Sequence, residues 1–270
     1  LIGYSAASTL FAALWDWRVP VAQTSDGTQD GVLSDVDAAS LADALSDTLL
    51  VSGVDYLAYW LNEATTAWLA LTGQKPDSVD LVTHSTGGLV ARSHIQSAAY
   101  GATDDLPVVD TLVQVGVPNE GSGALYSVLN NDFSLKSATR VLALVINNAY
   151  EQLLAGQDIN NPDGTIIDHN AVPSQIDFIA QYVETAQDLL AVYPFLDTND
   201  DAVFESLATN ALLLDLNVAN TDSDIFVSSV NGSDVSIIYS GEVDTADLLV
   251  EQTGPDLSLG ASNEILPFTD

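Results

Sequence analysis

Val79-Asp80-Leu81-Val82-Thr83-His84-Ser85-Thr86-Gly87-Gly88-Leu89-Val90 is the stretch on which the reading of this chain turns. Val79 to Thr83 reads as a short apolar strand. From Gly87 to Tyr100 apolar residues recur at helical spacing, and Gly101 stands where a helix C-cap is expected. A serine at such a strand-to-helix junction is held on a sharp turn, with its hydroxyl above the sheet end and the N-terminus of the next helix beneath it. Gly87 and Gly88 suit the same reading, because small residues let strand and helix approach closely. The usual form of this pattern is G-x-S-x-G, and Thr83 occupies the first glycine position. Two readings follow: Ser85 is a nucleophile, with the backbone N–H of Thr86 available to an oxyanion, or Ser85 is an ordinary helix cap that needs no chemistry.

Working outward, Val108 to Val117 is a second β-branched run, ended by Pro118. Strands alternating with helices predict a parallel sheet. Upstream, Leu41, Leu45 and Leu49 have helical spacing, and after Gly53 a second helix places Leu57, Trp60/Leu61, Ala64, Trp68 and Leu71 on one face and ends near Gly73. The run from Thr9 to Trp17 reads as a buried strand that stops before Pro20. Residues 122–224 change character, with helical spacing over 138–155, 173–192 and 203–215 joined by polar loops such as Asn160-Asn161-Pro162-Asp163-Gly164. Strand character returns at 225–230 and 235–240. The Asn231-Gly232 pair between them fits a hairpin turn, but a helix-flanked parallel strand at 235–240 is preferred because it extends the sheet. The expected division is a core over 1–121 with the serine turn, a helical cap or lid over 122–224, and a return to the core sheet over 225–270.

The balance of 38 Asp+Glu against 5 Lys+Arg gives a net charge of -33. A surface that tracks phosphates needs clustered Lys and Arg, so nucleic acid is excluded as an expected partner and an anionic membrane is disfavoured. With 47% hydrophobic residues the chain is too apolar to stay unfolded, and its 270 residues suffice for a sizeable core. Screening relieves the self-repulsion of such an acidic shell, which points to a saline or extracellular setting and a secreted protein. No apolar run approaches the ~20 residues that span a bilayer. The absence of cysteine removes disulfides and thiolate metal sites. No cofactor and no metal is expected; Asp197-Thr198-Asn199-Asp200-Asp201 lacks the glycine and the terminal glutamate of an EF-hand loop. The absence of methionine means that Leu1 is not expected to be a translation start.

Three blocks resemble the lipases and acyltransferases related to lecithin:cholesterol acyltransferase. They are Gly3-Tyr4 with Leu10-Phe11-Ala12-Ala13-Leu14-Trp15-Asp16-Trp17-Arg18, then His84-Ser85-Thr86-Gly87-Gly88-Leu89-Val90-Ala91-Arg92, and Val115-Gly116-Val117-Pro118-Asn119-Glu120-Gly121-Ser122. A weaker likeness resumes at Ile237-Ile238-Tyr239-Ser240-Gly241. The resemblance implies an α/β-hydrolase fold, a mostly parallel sheet flanked by helices with an inserted helical cap. It also implies serine ester hydrolysis or acyl transfer on a small-molecule or lipid ester. By the same likeness the first oxyanion loop precedes Leu1 and the acid and histidine follow the last strand, so the chain is expected to be a fragment lacking its first and last core elements.

Such a fold needs Ser, then acid, then His in chain order. The chain has three histidines. His84 adjoins the serine, His94 lies on the following helix as a packing residue, and His169 sits in a loop of the cap. Asp244, just past a strand end, is the candidate acid, and Asp270 is a weaker one. Arg18 and Arg92, rare cations in an acidic chain, are each expected to pair with a carboxylate or a helix end.

Overall fold

The computed structural model describes residues 5–6, 8–23, 31–47, 49–102, 106–133, 137–197, 210–218, 229–230, 233–238, 249–251 and 265–267. The elements run α1 (Ala38–Asp47), α2 (Gly53–Thr72), β1 (Ser78–His84), α3 (Thr86–Ile95), β2 (Val108–Val115), α4 (Ala124–Leu129), α5 (Ser137–Leu154), β3 (Ile159–Asn160), β4 (Ile166–Ile167), a 3-10 turn (His169–Ala171), α6 (Gln175–Tyr182), α7 (Thr185–Asp188), β5 (Leu196–Asp197), α8 (Ala211–Val218), β6 (Ser229–Val230), β7 (Ser233–Ile238), β8 (Leu249–Glu251) and β9 (Ile265–Pro267). The fold is mixed α/β. One compact unit comprises Leu1–Trp17, Val21–Asn119 and Leu214–Ser240, and the other comprises Arg18–Pro20, Glu120–Leu213 and Gly241–Asp270.

The first unit holds a small sheet in the order β1-β2-β7-β6. β1 runs parallel to β2, β2 parallel to β7, and β6 antiparallel to β7. The parallel strand expected at 235–240 is therefore β7, which is also paired with β6 through Val230↔Ser233; Asn231 and Gly232 lie outside the described residues. α2 begins at a capping box, in which the Ser52 side chain accepts from the Asp55 N–H and the Asp55 carboxylate accepts from the Ser52 N–H. It stops at Gly73, whose φ of 78° is left-handed. Its packing fades toward the C-terminal end: Val54, Leu57, Ala58, Leu61 and Thr65 are buried, whereas Leu69 and Leu71 are exposed. No helix among the described residues is long and apolar enough to cross a membrane.

One expectation for this unit fails. Residues 11–16 form no strand, and Leu10, Leu14 and Trp17 are exposed. An apolar run becomes a strand only where a neighbouring edge offers hydrogen bonds. Here the Leu14 carbonyl accepts instead from the indole N–H of Trp60 on α2 (2.8 Å), and the buried residues come afterwards, at Val19, Val21 and Ala22.

The second unit packs α5 and α6 around Ile146, Leu153, Phe178, Ile179 and Val183, which are almost wholly buried. β3 and β4 form an antiparallel ribbon with Ile159 opposite Ile167. Its turn is the polar loop noted in the sequence, with Gly164 at φ 86°. The single helix expected over 173–192 is broken into α6 and α7. At the break the Glu184 N–H donates to the Arg18 carbonyl (2.9 Å) instead of to the preceding helical turn. β5, β8 and β9 form a further small sheet. Residues 203–209 of the third expected helix lie outside the described residues, and α8 covers Ala211–Val218.

Candidate functional site

Ser85 joins β1 to α3 with φ 53° and ψ −134°. These angles lie near the first corner of a type II′ turn (about +60°, −120°), a conformation that glycine normally occupies. The corner is pinned from both sides: the Ser85 N–H donates to the Val115 carbonyl on β2 (3.0 Å), and the Ser85 carbonyl accepts from the Gly88 N–H (3.0 Å). The Ser85 side chain makes no capping hydrogen bond, so helix capping does not explain the serine. A non-glycine residue in such a region stores roughly 1–3 kcal/mol of strain, and such outliers cluster at functional sites. Ser85→Gly is therefore expected to be more stable than Ser85→Ala by about 1 kcal/mol, after allowing for the greater chain entropy of glycine. Paired urea unfolding curves check this, and equal midpoints would remove the strain argument.

The neighbours of Ser85 show how the sequence builds the corner. Thr83, in the usual glycine position, donates its hydroxyl to the Val113 carbonyl of β2 (3.0 Å), so the larger residue is accommodated by a bond across the sheet. Thr86 is the first residue of α3, where helix geometry leaves the N–H without an intrahelical acceptor. Of the two glycines, only Gly88 is required by contact. A Cβ on Gly88 would lie 2.2 Å from Val117 Cγ2, whereas a Cβ on Gly87 would meet nothing within 4 Å.

One turn along α3 from Gly88, Arg92 is buried. Its guanidinium donates to Gln96 Oε1 (3.2 Å), Asn119 Oδ1 (2.8 Å) and the Leu216 carbonyl (2.8 Å) in the last turn of α8. A helix end is thus among its partners, as a cation near the negative pole of a helix should have. Burial lowers its pKa to about 10, so it stays charged at neutral pH. The sequence pointed to Arg92 but not to Gln96, Gln114 or Asn119, which complete the cluster. The available signal was Gln114 itself, a polar residue inside a β-branched run that must find a partner once buried.

The three histidines have different surroundings. His84 is exposed on β1. His94 is fully buried against Tyr100, with ring centroids 5.6 Å apart and planes at 85°, and neither ring nitrogen has a hydrogen-bond partner among the described residues. His169 belongs to the second unit, where Nδ1 lies 2.6 Å from Asp158 Oδ1 and 3.7 Å from Asp168 Oδ1. The bonds from His169 hold the Asp158 carboxyl below its usual range. One ligand atom from each of these three residues falls within 4.8 Å of the others, a spacing that a divalent cation could bridge, although the hydrogen bond between His169 and Asp158 accounts for the same geometry. Among the described residues no imidazole hydrogen-bonds to the Ser85 hydroxyl. Asp244 and Asp270 lie outside the described residues. Arg18 packs over the Tyr182 ring, 5.3 Å from its centroid.

No curated protein matches the chain. A family model described as a domain of unknown function (DUF7379) matches residues 58–167, a span that takes in β1, the Ser85 corner, α3 and β2.

Proposed function

We propose that this chain carries the nucleophile of a serine hydrolase of α/β-hydrolase type, acting on carboxylic esters of lipid-like or other apolar substrates. The observation that carries the reading is the Ser85 corner, strained, pinned between β2 and α3, and free of any capping duty. In this reading the Ser85 hydroxyl oxygen attacks the ester carbonyl carbon while a base takes its proton. The Thr86 N–H donates to the developing oxyanion. Collapse of the tetrahedral intermediate expels the alcohol with that proton and leaves an acyl group on Ser85, which water or an acceptor alcohol then removes. Hydrolysis and acyl transfer share every step up to that acceptor. The reading assigns the base to a histidine outside this sequence and keeps Asp244 as candidate acid, and the resemblance to the lipase and acyltransferase family supports it.

A second reading, a non-catalytic hydrolase-like module of a larger extracellular protein, draws on the lack of an imidazole partner for Ser85 among the described residues. Intact mass after exposure to a fluorophosphonate separates the two. The catalytic reading expects a single adduct that Ser85→Ala abolishes. An adduct that survives Ser85→Ala, or no adduct in a chain extended at both ends, would favour the module.

A further inference from the structure

We propose that Arg92 is a positioning residue for the Ser85 site, holding the segment after β2 in place through Asn119. This deepens the hydrolase reading and rests on it for its functional half.

Gly88, Arg92 and Gln96 are spaced i, i+4, i+8 and therefore form one stripe along α3 and its C-cap. At the first position the Val117 side chain fills the notch that the absent Cβ of Gly88 leaves. At the second, Arg92 grips the Asn119 side chain. At the third, Gln96 Nε2 donates to the same Leu216 carbonyl as Arg92 (2.9 Å) and to the Gly31 carbonyl (3.2 Å). Asn119 is occupied at every polar group. Its Nδ2 donates to Gln114 Oε1 on β2 (2.8 Å), its N–H donates to the Val117 carbonyl (3.0 Å), and its carbonyl accepts from Asn217 Nδ2 (2.9 Å). Residues 116–119 are thus clamped from β2, α3 and α8 directly beside the corner that Val115 and Gly88 pin.

A buried guanidinium bonded to two side-chain amides and a helix carbonyl is a costly way to fill space, because apolar residues of similar volume stabilise a core as well or better. What the planar fork adds is direction: several bonds in fixed geometry from one group. That geometry locates Val117 and, through it, the first turn of α3 that carries the Thr86 N–H.

The experiment compares wild type with Arg92→Met and Asn119→Ala in this chain, and wild type with Arg92→Met in a chain extended at both ends. Amide exchange over 116–119 is expected to accelerate about tenfold or more in each variant, the scale of a lost charge-assisted bond, while exchange in α2 stays at the wild-type rate. Phosphonylation of Ser85 in the extended chain is expected to slow by a similar factor. Exchange over 116–119 that is unchanged, or that rises only in step with α2, overturns the proposal. Should Arg92→Met fail to fold, Asn119→Ala decides by the same exchange criterion. If wild type takes up no phosphonate while local exchange still rises, the hydrolase reading fails and the clamp stands as a structural device.

Discussion

Between pH 7 and pH 5 the protein is expected to lose about 2 kcal/mol of stability relative to a His94→Phe variant. Burial lowers the His94 pKa from 6.5 to about 4, and the imidazole therefore stays neutral in the folded state. The unfolded chain begins to take up this proton near pH 6.5. Acidification thus favours unfolding from there down to about pH 4, where the accumulated loss reaches about 3 kcal/mol. Phenylalanine keeps the edge-on contact with Tyr100 and has nothing to titrate. Other groups move the opposite way: burial raises the Asp55 carboxyl, which gains stability as pH falls through its folded pKa, and the charge of -33 repels less once carboxylates are protonated. These contributions are common to both proteins and cancel in the difference. Urea midpoints at pH 7, 6 and 5 make the comparison, and a difference independent of pH would show that His94 is solvated or partnered in the native protein.

The second large effect separates two adjacent, identical letters. Gly88→Ala is expected to destabilise by about 1–3 kcal/mol, because its Cβ would enter the space that Val117 occupies and force side chain or backbone to shift. Gly87→Ala meets nothing and should stabilise by about 0.5 kcal/mol, the helix preference of alanine over glycine. Val117→Ala in the Gly88→Ala background removes both offending methyls and should recover much of the loss, a coupling that a double-mutant cycle measures directly. Thermal or urea unfolding of wild type, Gly87→Ala, Gly88→Ala, Val117→Ala and the double variant, five proteins, suffices. Simple additivity of the Gly88 and Val117 substitutions would mean that the notch is not where the clash occurs.

What the amino-acid order disclosed follows from how local each feature is. The Ser85 corner and the stop of α2 at Gly73 depend on residues within a few positions of one another and were legible, whereas the Ser52–Asp55 capping box that starts α2 is just as local and was not read. Thr9 to Trp17 forms no strand because apolar content reports only a tendency to burial, and here Leu10, Leu14 and Trp17 stay exposed while the Trp60 indole takes the Leu14 carbonyl. The β3–β4 ribbon went unseen because each strand is only two residues long, too short for alternation to show. The break between α6 and α7 depends on a carbonyl of Arg18, remote in the chain. At the candidate site the serine and its glycines announced themselves, but the Arg92 cluster draws on β2, α3 and α8, and no periodicity links those positions.

The strand order also dictates a sequence of events during folding. β1 meets β2 with Ser78 opposite Val108, a short crossover through α3, whereas β2 meets β7 with Thr111 opposite Asp234. The second loop is roughly four times as long as the first, which adds about 1 kcal/mol of closure entropy. The β1-α3-β2 crossover also leaves the ribosome well before β7 has been synthesised. The serine corner therefore belongs to the part of the chain that assembles early and locally, and β7 arrives last to cover the exposed side of β2.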